Sequence, residues 1–194
     1  MRMRALPVAL GLTLILGAAC SSDDDASSES NGDASAAHND ADVEFAQMMI
    51  PHHDQAVEMA QLAPDRAEST EVKDLAMRIK EAQAPEIDQM EGWLADWDEE
   101  AGGDMGEMDD SESMDHSGSG MMSDQEMTDL EDASGAEFDR LFLEMMLAHH
   151  TGAVEMAETE IDEGEFPDAL ALAEGIKSTQ EAEIAEMETL LEDL

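Results

Sequence analysis

Four of the six histidines of this chain stand in two adjacent pairs, and a pair of methionines precedes each of them by about one helical turn. Residues three or four apart are neighbours on a helix, so a thioether and an imidazole of one segment can face the same place. These donors together favour a soft ion, Cu(I) or Ag(I), while Cu(II) can bind through histidine alone. We therefore predict metal ligands at His52, His53, His149, His150, Met48, Met49, Met145 and Met146.

The spacing also limits how these histidines can act. Adjacent side chains on a helix point about 100° apart, so one pair on one helix cannot readily chelate a single ion. His52 and His149 fall on the apolar stripe and could meet across a bundle, whereas His53 and His150 are expected at its flank. One shared site and two equivalent sites both agree with this pattern. Taken singly, each methionine is also compatible with core packing, because Met fills gaps in helical cores.

The histidine segments belong to an internal repeat. Residues 45–60 align with residues 142–157 at an offset of 97, with ten of sixteen positions identical. At the same offset, residues 79–94 align with residues 176–191, with eight of sixteen identical. Two blocks that share one offset without a gap indicate a duplicated unit. The retention of both histidine pairs weakens the interpretation of each histidine as an ordinary hydrogen-bonded core residue.

Each block has the period of an amphipathic helix, since its apolar residues recur in steps of three or four and strong helix formers dominate. Turn residues at 63–65 and 164–167 divide each copy into two helices. Pro51 and Pro85 lie inside helical patterns and are expected to bend them. The sequence thus predicts an all-α protein, an antiparallel four-helix bundle built from two repeated helical hairpins.

The N-terminus has the pattern of an export signal. Arg2 and Arg4 precede an apolar run over residues 5–19, and small residues lead to Cys20, the only cysteine of the chain. This order is typical of a secretory signal, and the run is short for a membrane span. We predict that Cys20 is lipidated and anchors an extracytoplasmic domain to the membrane as a cell-envelope lipoprotein. An ordinary signal peptide with an incidental cysteine is the alternative.

Composition divides the chain into five segments. They are a lipoprotein signal peptide (1–20), a disordered spacer (21–40), hairpin repeat 1 (41–98), an acidic Met-rich flexible linker (99–123) and hairpin repeat 2 (124–194). A disordered linker has no core to fill, and exposed methionines are costly in an oxidising compartment. We therefore predict secondary metal capture there, with compositional drift as the alternative. The residues concerned are Met114, His116, Met121 and Met122.

The charge of the chain narrows its partners. Fifty acidic residues against eight basic ones give a formal net charge of −42. Nucleic acid is excluded as a partner, because its phosphates require a basic surface. Adsorption to an anionic membrane is excluded except through a tether. The predicted partners are a metal ion and, through the lipid anchor, the membrane; a protein partner stays open.

The pattern Met-Ile-x-His-His-x-x-Ala-Val-Glu-Met-Ala, followed by Gln-x-x-Glu-Ile-x-x-Met, resembles the exported domain-of-unknown-function family numbered 305. The resemblance covers about residues 40–98 and 136–193. It implies a ferritin-like four-helix bundle, and it implies metal binding at the two histidine pairs and their flanking methionines, because some members are periplasmic copper-binding proteins. The second copy has Ala148 where the first has Pro51, which leaves the ligand positions intact.

Three functions follow as hypotheses. The leading one is an envelope-anchored protein that sequesters or delivers Cu(I). The alternative is a metal-independent structural or interaction lipoprotein with the same bundle. A redox role for a bound metal is the third, although the sequence has neither Glu-x-x-His pairs nor a Gly-rich phosphate loop nor a His-Glu-x-x-His motif. We therefore predict a binding protein rather than an enzyme.

Overall fold

A computed structural model of the protein describes residues 37–101 and 120–194. In these two ranges the chain forms five α-helices and no strand, which confirms the predicted all-α class and the helical bundle. The helices are α1 (Asp40–Arg66), α2 (Thr70–Asp96), α3 (Asp124–Asp132), α4 (Ala136–Glu163) and α5 (Pro167–Asp193). None of these helices is both long and apolar enough to cross a membrane.

Side-chain caps define where the helices begin. The Asn39 side chain accepts hydrogen bonds from the backbone N–H groups of Ala41 and Asp42, and the Asp42 carboxylate accepts from the Asn39 N–H, so α1 starts with a capping box. Ser69 caps α2 through the N–H groups of residues 71 and 72. These short polar side chains satisfy donors that have no partner inside the helix.

Two local features differ from the sequence prediction. The break predicted at residues 63–65 lies later, because α1 continues through Pro64 to Arg66. A proline this close to the helix end removes few of the backbone hydrogen bonds of α1, and the Ala67 N–H still donates to the Ala63 carbonyl at 3.0 Å. In addition, α3 precedes the second hairpin inside a segment predicted as one hairpin. It has its own capping box between Ser123 and Glu126.

The two hairpins, α1–α2 and α4–α5, face each other mainly through α1 and α4, whereas α2 and α5 touch only sparsely. The start of α1 meets the end of α4, where the Asn39 side-chain amide donates to the Glu163 carbonyl at 2.8 Å. At the other end of the pair, the Gly135 N–H donates to the Arg66 carbonyl at 2.8 Å. Helices α1 and α4 therefore run antiparallel.

The apolar core is divided into two clusters, one towards each end of the bundle. All four long helices contribute to both, so burial of apolar surface holds the hairpins together at two levels. The Phe138 cluster includes Ala56, Met59, Leu75, Ile79, Leu130, Phe138, Phe142, Met146 and Met187. The Phe45 cluster includes Phe45, Met49, Ile87, Met90, Leu94, Ala153, Ala157, Ala173 and Ile176.

Candidate metal centre

A layer of polar side chains separates the two apolar clusters. Each long helix supplies two residues to it, and all of them are buried except one glutamate that is partly exposed. This central polar layer consists of His52, His53, Gln83, Glu86, His149, His150, Gln180 and Glu183. Buried polar groups cost stability unless they are hydrogen-bonded or bind a ligand, so a complete polar layer inside a bundle marks a candidate functional site.

His52 and His149 meet at the centre of this layer, on the facing sides of α1 and α4. Their ring centroids lie 3.6 Å apart with a tilt of 35° between the planes. Both residues have zero exposure. The structure thus brings together the two histidines expected on the apolar stripe. Because the rings are in van der Waals contact, an ion can reach their nitrogens at the ring edges and not between the faces.

His53 and His150 occupy equivalent places in the two hairpins, and both are fully buried, which corrects their expected position at the flank. His53 Nε2 lies 2.7 Å from Glu86 Oε2, and His150 Nε2 lies 2.8 Å from Glu183 Oε2. A carboxylate oxygen accepts hydrogen bonds, so Nε2 carries the donated N–H in each pair and Nδ1 is the ring nitrogen left for a metal. Metal-binding histidines commonly use this arrangement, in which a carboxylate orients the ring.

The nitrogens that would bind a metal are buried and available. The Nδ1 atoms of His53 and His150 have no hydrogen-bond partner in the described part of the chain, and neither ring nitrogen of His149 makes a hydrogen bond of full geometry there, although the His52 backbone lies close to it. Burial, followed by electrostatic interaction with His52, His150 and His53, holds the pKa of His149 well below its usual value of 6.5. His149 is therefore neutral at neutral pH, and a neutral imidazole is the form that coordinates metal.

Sequence reasoning missed four members of this layer. Gln83 and Gln180 are 2% and 3% exposed, and the side-chain oxygens of both have no hydrogen-bond partner within the described ranges. Glu86 and Glu183 orient the histidines from α2 and α5. All four stand at the repeat offset of 97 and are identical between the copies. That shared polar identity within the second repeat block is the signal that could have found them.

The predicted methionine ligands occupy three kinds of environment. Met49 and Met146 are fully buried in the apolar clusters, one turn from the histidines of their own helices. Met145 is nearly buried at 8% exposure and lines a surface cavity together with Met122. Met48 is 44% exposed and lines a different cavity. The eight predicted ligands are therefore not equivalent, and Met49 and Met146 are the thioethers nearest in sequence to buried imidazoles.

The linker ends directly beside the histidine layer. Gln55 of α1 holds the backbone of Met122 on both sides, accepting from its N–H at 2.7 Å and donating to its carbonyl at 2.9 Å. Gly120 has a φ of +74°, and a Cβ there would collide with the carbonyl of Ala148, next to His149. Met121 and Met122, predicted as capture residues, thus lie against the bundle. Met114, His116 and Cys20 lie outside the described residues.

The arrangement of the possible ligands limits how many of them can bind one ion in the described part of the chain. Among residues 37–101 and 120–194, no three His, Cys, Asp or Glu side chains converge in a way that could hold a metal ion. The donors present are imidazole nitrogens, with thioethers one turn away. This set suits an ion that accepts few, soft ligands.

The chain belongs to the family described as domain of unknown function (DUF305), whose profile matches residues 42–191. No functionally curated protein matches the chain. A DUF305 protein from Streptomyces coelicolor is 34% identical with a TM-score of 0.69, covering 79% of this chain and 91% of that one. A DUF305 fragment from Deinococcus radiodurans is 31% identical with a TM-score of 0.70, covering 80% of this chain and 98% of the fragment.

A third similar structure is CopM in its Cu(II)-bound form. It is 33% identical with a TM-score of 0.66, covering 78% of this chain and 96% of CopM. CopM has also been solved in Cu(I)-bound, Ag-bound and apo forms. The family predicted from the histidine and methionine pattern is thereby confirmed, and its solved relatives include a copper-binding protein.

Proposed function

We propose that this protein binds copper as Cu(I) in its central polar layer, and that it sequesters the ion or passes it on in the cell envelope. One observation carries the proposal. Four fully buried histidines meet in one layer, and carboxylates orient two of them so that Nδ1 lone pairs remain inside the bundle. Leaving such groups unsatisfied costs roughly 1–3 kcal/mol each, which a bound ion would offset.

The choice of copper rests on donor chemistry and on similarity. Neutral imidazole with nearby thioether favours Cu(I) and Ag(I) over the oxygen-seeking ions, while Cu(II) suits imidazole alone. CopM, which has 31% to 33% identity to this chain in its copper-bound forms, has been solved with Cu(I) and with Cu(II). Silver-bound CopM agrees with a site of this soft character.

The proposed location is the extracytoplasmic side of the membrane, with Cys20 as the lipid anchor. The signal-like N-terminus supports this, as does the similarity to the Streptomyces coelicolor protein, which is designated as secreted. We propose binding rather than catalysis because all four imidazoles have zero exposure. A substrate larger than an ion could reach them only if the bundle opened.

The decisive experiment replaces His52, His53, His149 and His150 together by asparagine. Cu(I) binding is measured anaerobically by competition with a chromophoric chelator, and thermal unfolding is recorded with and without Cu(I). The unaltered protein should bind Cu(I) stoichiometrically and unfold at a higher temperature with it, because a ligand present at 1,000 times its Kd adds about 4 kcal/mol to stability. The variant should lose the tight site and the thermal shift.

A Met77→Leu variant is the control, because Met77 is an exposed thioether on α2, 53% accessible and away from the layer. Unchanged Cu(I) stoichiometry and affinity in the histidine variant would contradict the proposal. If Cu(I) does not change the unfolding temperature of the wild-type protein, the metal-independent structural role is favoured. If the fourfold variant does not fold, replacing His53 and His150 by glutamine gives the same test with one change in each hairpin.

A further inference from the structure

The duplication allows a comparison of two equivalent places on the α1–α4 pair, one on each side of the histidines. On the side of the Phe138 cluster, the place is filled by apolar side chains. Phe138 and Ala63 are fully buried there, and Leu62 and Leu141 pack against the same cluster. Apolar side chains therefore fill the space between α1 and α4 in this half, and the surface cavity that Leu141 and Met145 line opens instead towards α3.

On the other side, the same four positions hold Ala41, Glu44, Thr159 and Glu160. Smaller and polar side chains thus replace the apolar filling, and an open cavity of about 300 Å³ lies between α1 and α4. Each half also has two methionines at equivalent repeat positions. They are Met59 and Met145 in the filled half, and Met156 and Met48 in the open half. The open half therefore has less side-chain volume and more carboxylates than the filled half, while the pair of thioethers is the same.

Glu160 is the unusual member of this cavity. It is only 1% exposed, and its carboxyl lies beside the Asp42 carboxyl and interacts with it, although neither Glu160 oxygen makes a hydrogen bond of full geometry in the described part of the chain. Gly164 packs so closely on this carboxyl that a Cβ at residue 164 would collide with it. A buried carboxyl beside a second carboxyl is costly to ionise, whereas the first repeat has Ala63 at the equivalent position.

We infer that this cavity is a second metal site, in which the thioethers of Met48 and Met156 and the carboxyl of Glu160 bind a soft ion of the Cu(I) or Ag(I) class. Thioether ligands select soft ions. Glu44 and Glu163, which also line the cavity, add negative charge that attracts cations. A hard-ion site is not favoured, since the carboxylates here do not converge as a group of three among the described residues.

The position of the site distinguishes it from the histidine layer. Met48 is 44% exposed, so an ion can reach this cavity from solvent, while the imidazoles have zero exposure. Met48 and Met49 are adjacent on α1, one lining the outer cavity and the other buried next to the layer. The outer site is therefore the accessible one of the two. The inference takes its class of ion from the proposed function, but it rests on different side chains.

The test uses protein labelled with ¹³C at the methionine methyl groups and titrated with Ag(I), a redox-inert ion of the same class. The Met48→Leu and Met156→Leu variants assign two of the methyl resonances. We expect these two resonances to shift together at substoichiometric Ag(I), in the wild type and also in the fourfold histidine variant. The methyl group of Met77, which is 53% exposed and has no second methionine within four residues on α2, should not shift at that stage.

The role of the carboxyl is tested separately. Glu160→Gln should weaken Ag(I) binding at this site by at least about tenfold, the lower range for removing a group that supports a metal. Glu158→Gln is the matched control on α4, because Glu158 is exposed and pairs with Lys177. Equal Ag(I) affinity in the Glu160→Gln and wild-type proteins would overturn the assignment of the ligand set.

The outcomes separate the two proposals. If the methyl resonances of Met48 and Met156 do not shift with Ag(I) while the histidines bind it, the outer site is wrong and the proposed function stands. If the two methionines respond while the histidine replacements leave metal binding unchanged, the outer site stands and the histidine centre is wrong. A response of Met77 equal to that of Met48 would mean unspecific binding to any exposed thioether, and it would overturn the inference.

Discussion

At the scale of single residues, the two members of each histidine pair have different surroundings. His52 and His149 touch each other at the seam, whereas His53 and His150 are each held by a glutamate of the neighbouring helix. A buried ring held by a carboxylate, such as His150, has a stabilising partner, whereas the ring nitrogens of His149 make no hydrogen bond of full geometry within the described ranges, which is a cost. His149 and His150 should therefore respond oppositely to replacement.

We expect His149→Leu to leave the metal-free protein as stable as the wild type or to stabilise it by about 1 kcal/mol, because it removes buried nitrogens that lack partners. His150→Leu should instead destabilise it by roughly 1–3 kcal/mol, because Glu183 is then left without its partner in a nearly buried place. Urea unfolding in the presence of a chelator measures both. Equal destabilisation by the two changes would favour histidines that merely lock the bundle.

The glutamates that orient the rings should control metal affinity. Glu183→Gln keeps the shape but weakens acceptance of the His150 Nε2–H, so Cu(I) affinity should fall by roughly 10- to 100-fold. Glu186→Gln on the same helix is the control, since Glu186 is exposed and pairs with Arg78. The measurement is chelator competition, as for the histidine variant. If both substitutions change the affinity equally, Glu183 does not position a ligand.

At the scale of helices, an aspartate of each hairpin binds the backbone of the turn in the other hairpin. Asp42 in the first turn of α1 accepts hydrogen bonds from the N–H groups of Glu165 and Phe166, ahead of α5. At the repeat offset, Asp139 in the first turn of α4 accepts from the N–H groups of residues 68 and 69, ahead of α2. These bonds fix the antiparallel register of α1 and α4, and that register aligns His52 with His149.

Glu160 breaks this symmetry and makes the Asp42 end of the bundle sensitive to pH. Burial and the adjacent Asp42 carboxyl raise the pKa of Glu160 to about 8 from 4.5. Between these values the folded state keeps a proton that the unfolded state releases, so the free energy of unfolding falls as the pH rises through this range. Below pH 4.5 Glu160 is protonated in both the folded and the unfolded state, and its contribution to the free energy of unfolding is fully present.

Glu160→Gln should remove that dependence, because glutamine stays neutral. In the metal-free protein, the free energy of unfolding of the variant should rise relative to that of the wild type as the pH increases from 5 to 9. The expected difference is at least about 1.4 kcal/mol, which corresponds to one pKa unit. Urea unfolding at several pH values measures the difference, with Glu158→Gln as the exposed control on α4. A difference that stays constant with pH would mean that Glu160 is ionised throughout.

At the scale of the whole molecule, charge opposes compaction. The chain has a formal net charge of −42, and within the described ranges the ion pairs of its Lys and Arg residues are Arg78–Glu186 and Lys177–Glu158. Fifty carboxylates on one chain repel one another in the folded state more than in the expanded one. Most of that repulsion acts between exposed groups and is therefore open to screening by salt.

We expect the thermal midpoint of the metal-free protein to rise with ionic strength. Raising NaCl from about 0.01 M to 1 M shortens the Debye length from roughly 30 Å to 3 Å. A gain of even 1 kcal/mol corresponds to about 2–4 °C for a chain of this size. KCl at equal ionic strength should give the same rise if screening is the cause. A midpoint that is flat or falls in both salts would contradict this expectation.

The sequence by itself determined what depends on short-range periodicity. The repeat, the four long helices and the place of His52 and His149 on the facing stripes follow from apolar spacing along each helix, because that spacing decides which side is buried. The metal ligands predicted beyond the described residues, Met114 and His116, stay predictions.

Only the tertiary structure decided which side chains meet across helices. Glu86 lies 33 residues from His53, and α3 covers one half of the bundle through Leu130. The cavity beside Met48 likewise forms only where α1 lies against α4. Such contacts depend on the register between helices, which is set by many packed side chains and cross-hairpin caps such as Asp42 and not by any local pattern. The candidate metal ligands could therefore be predicted from the sequence, whereas the pairing of each glutamate with its histidine across two helices could not.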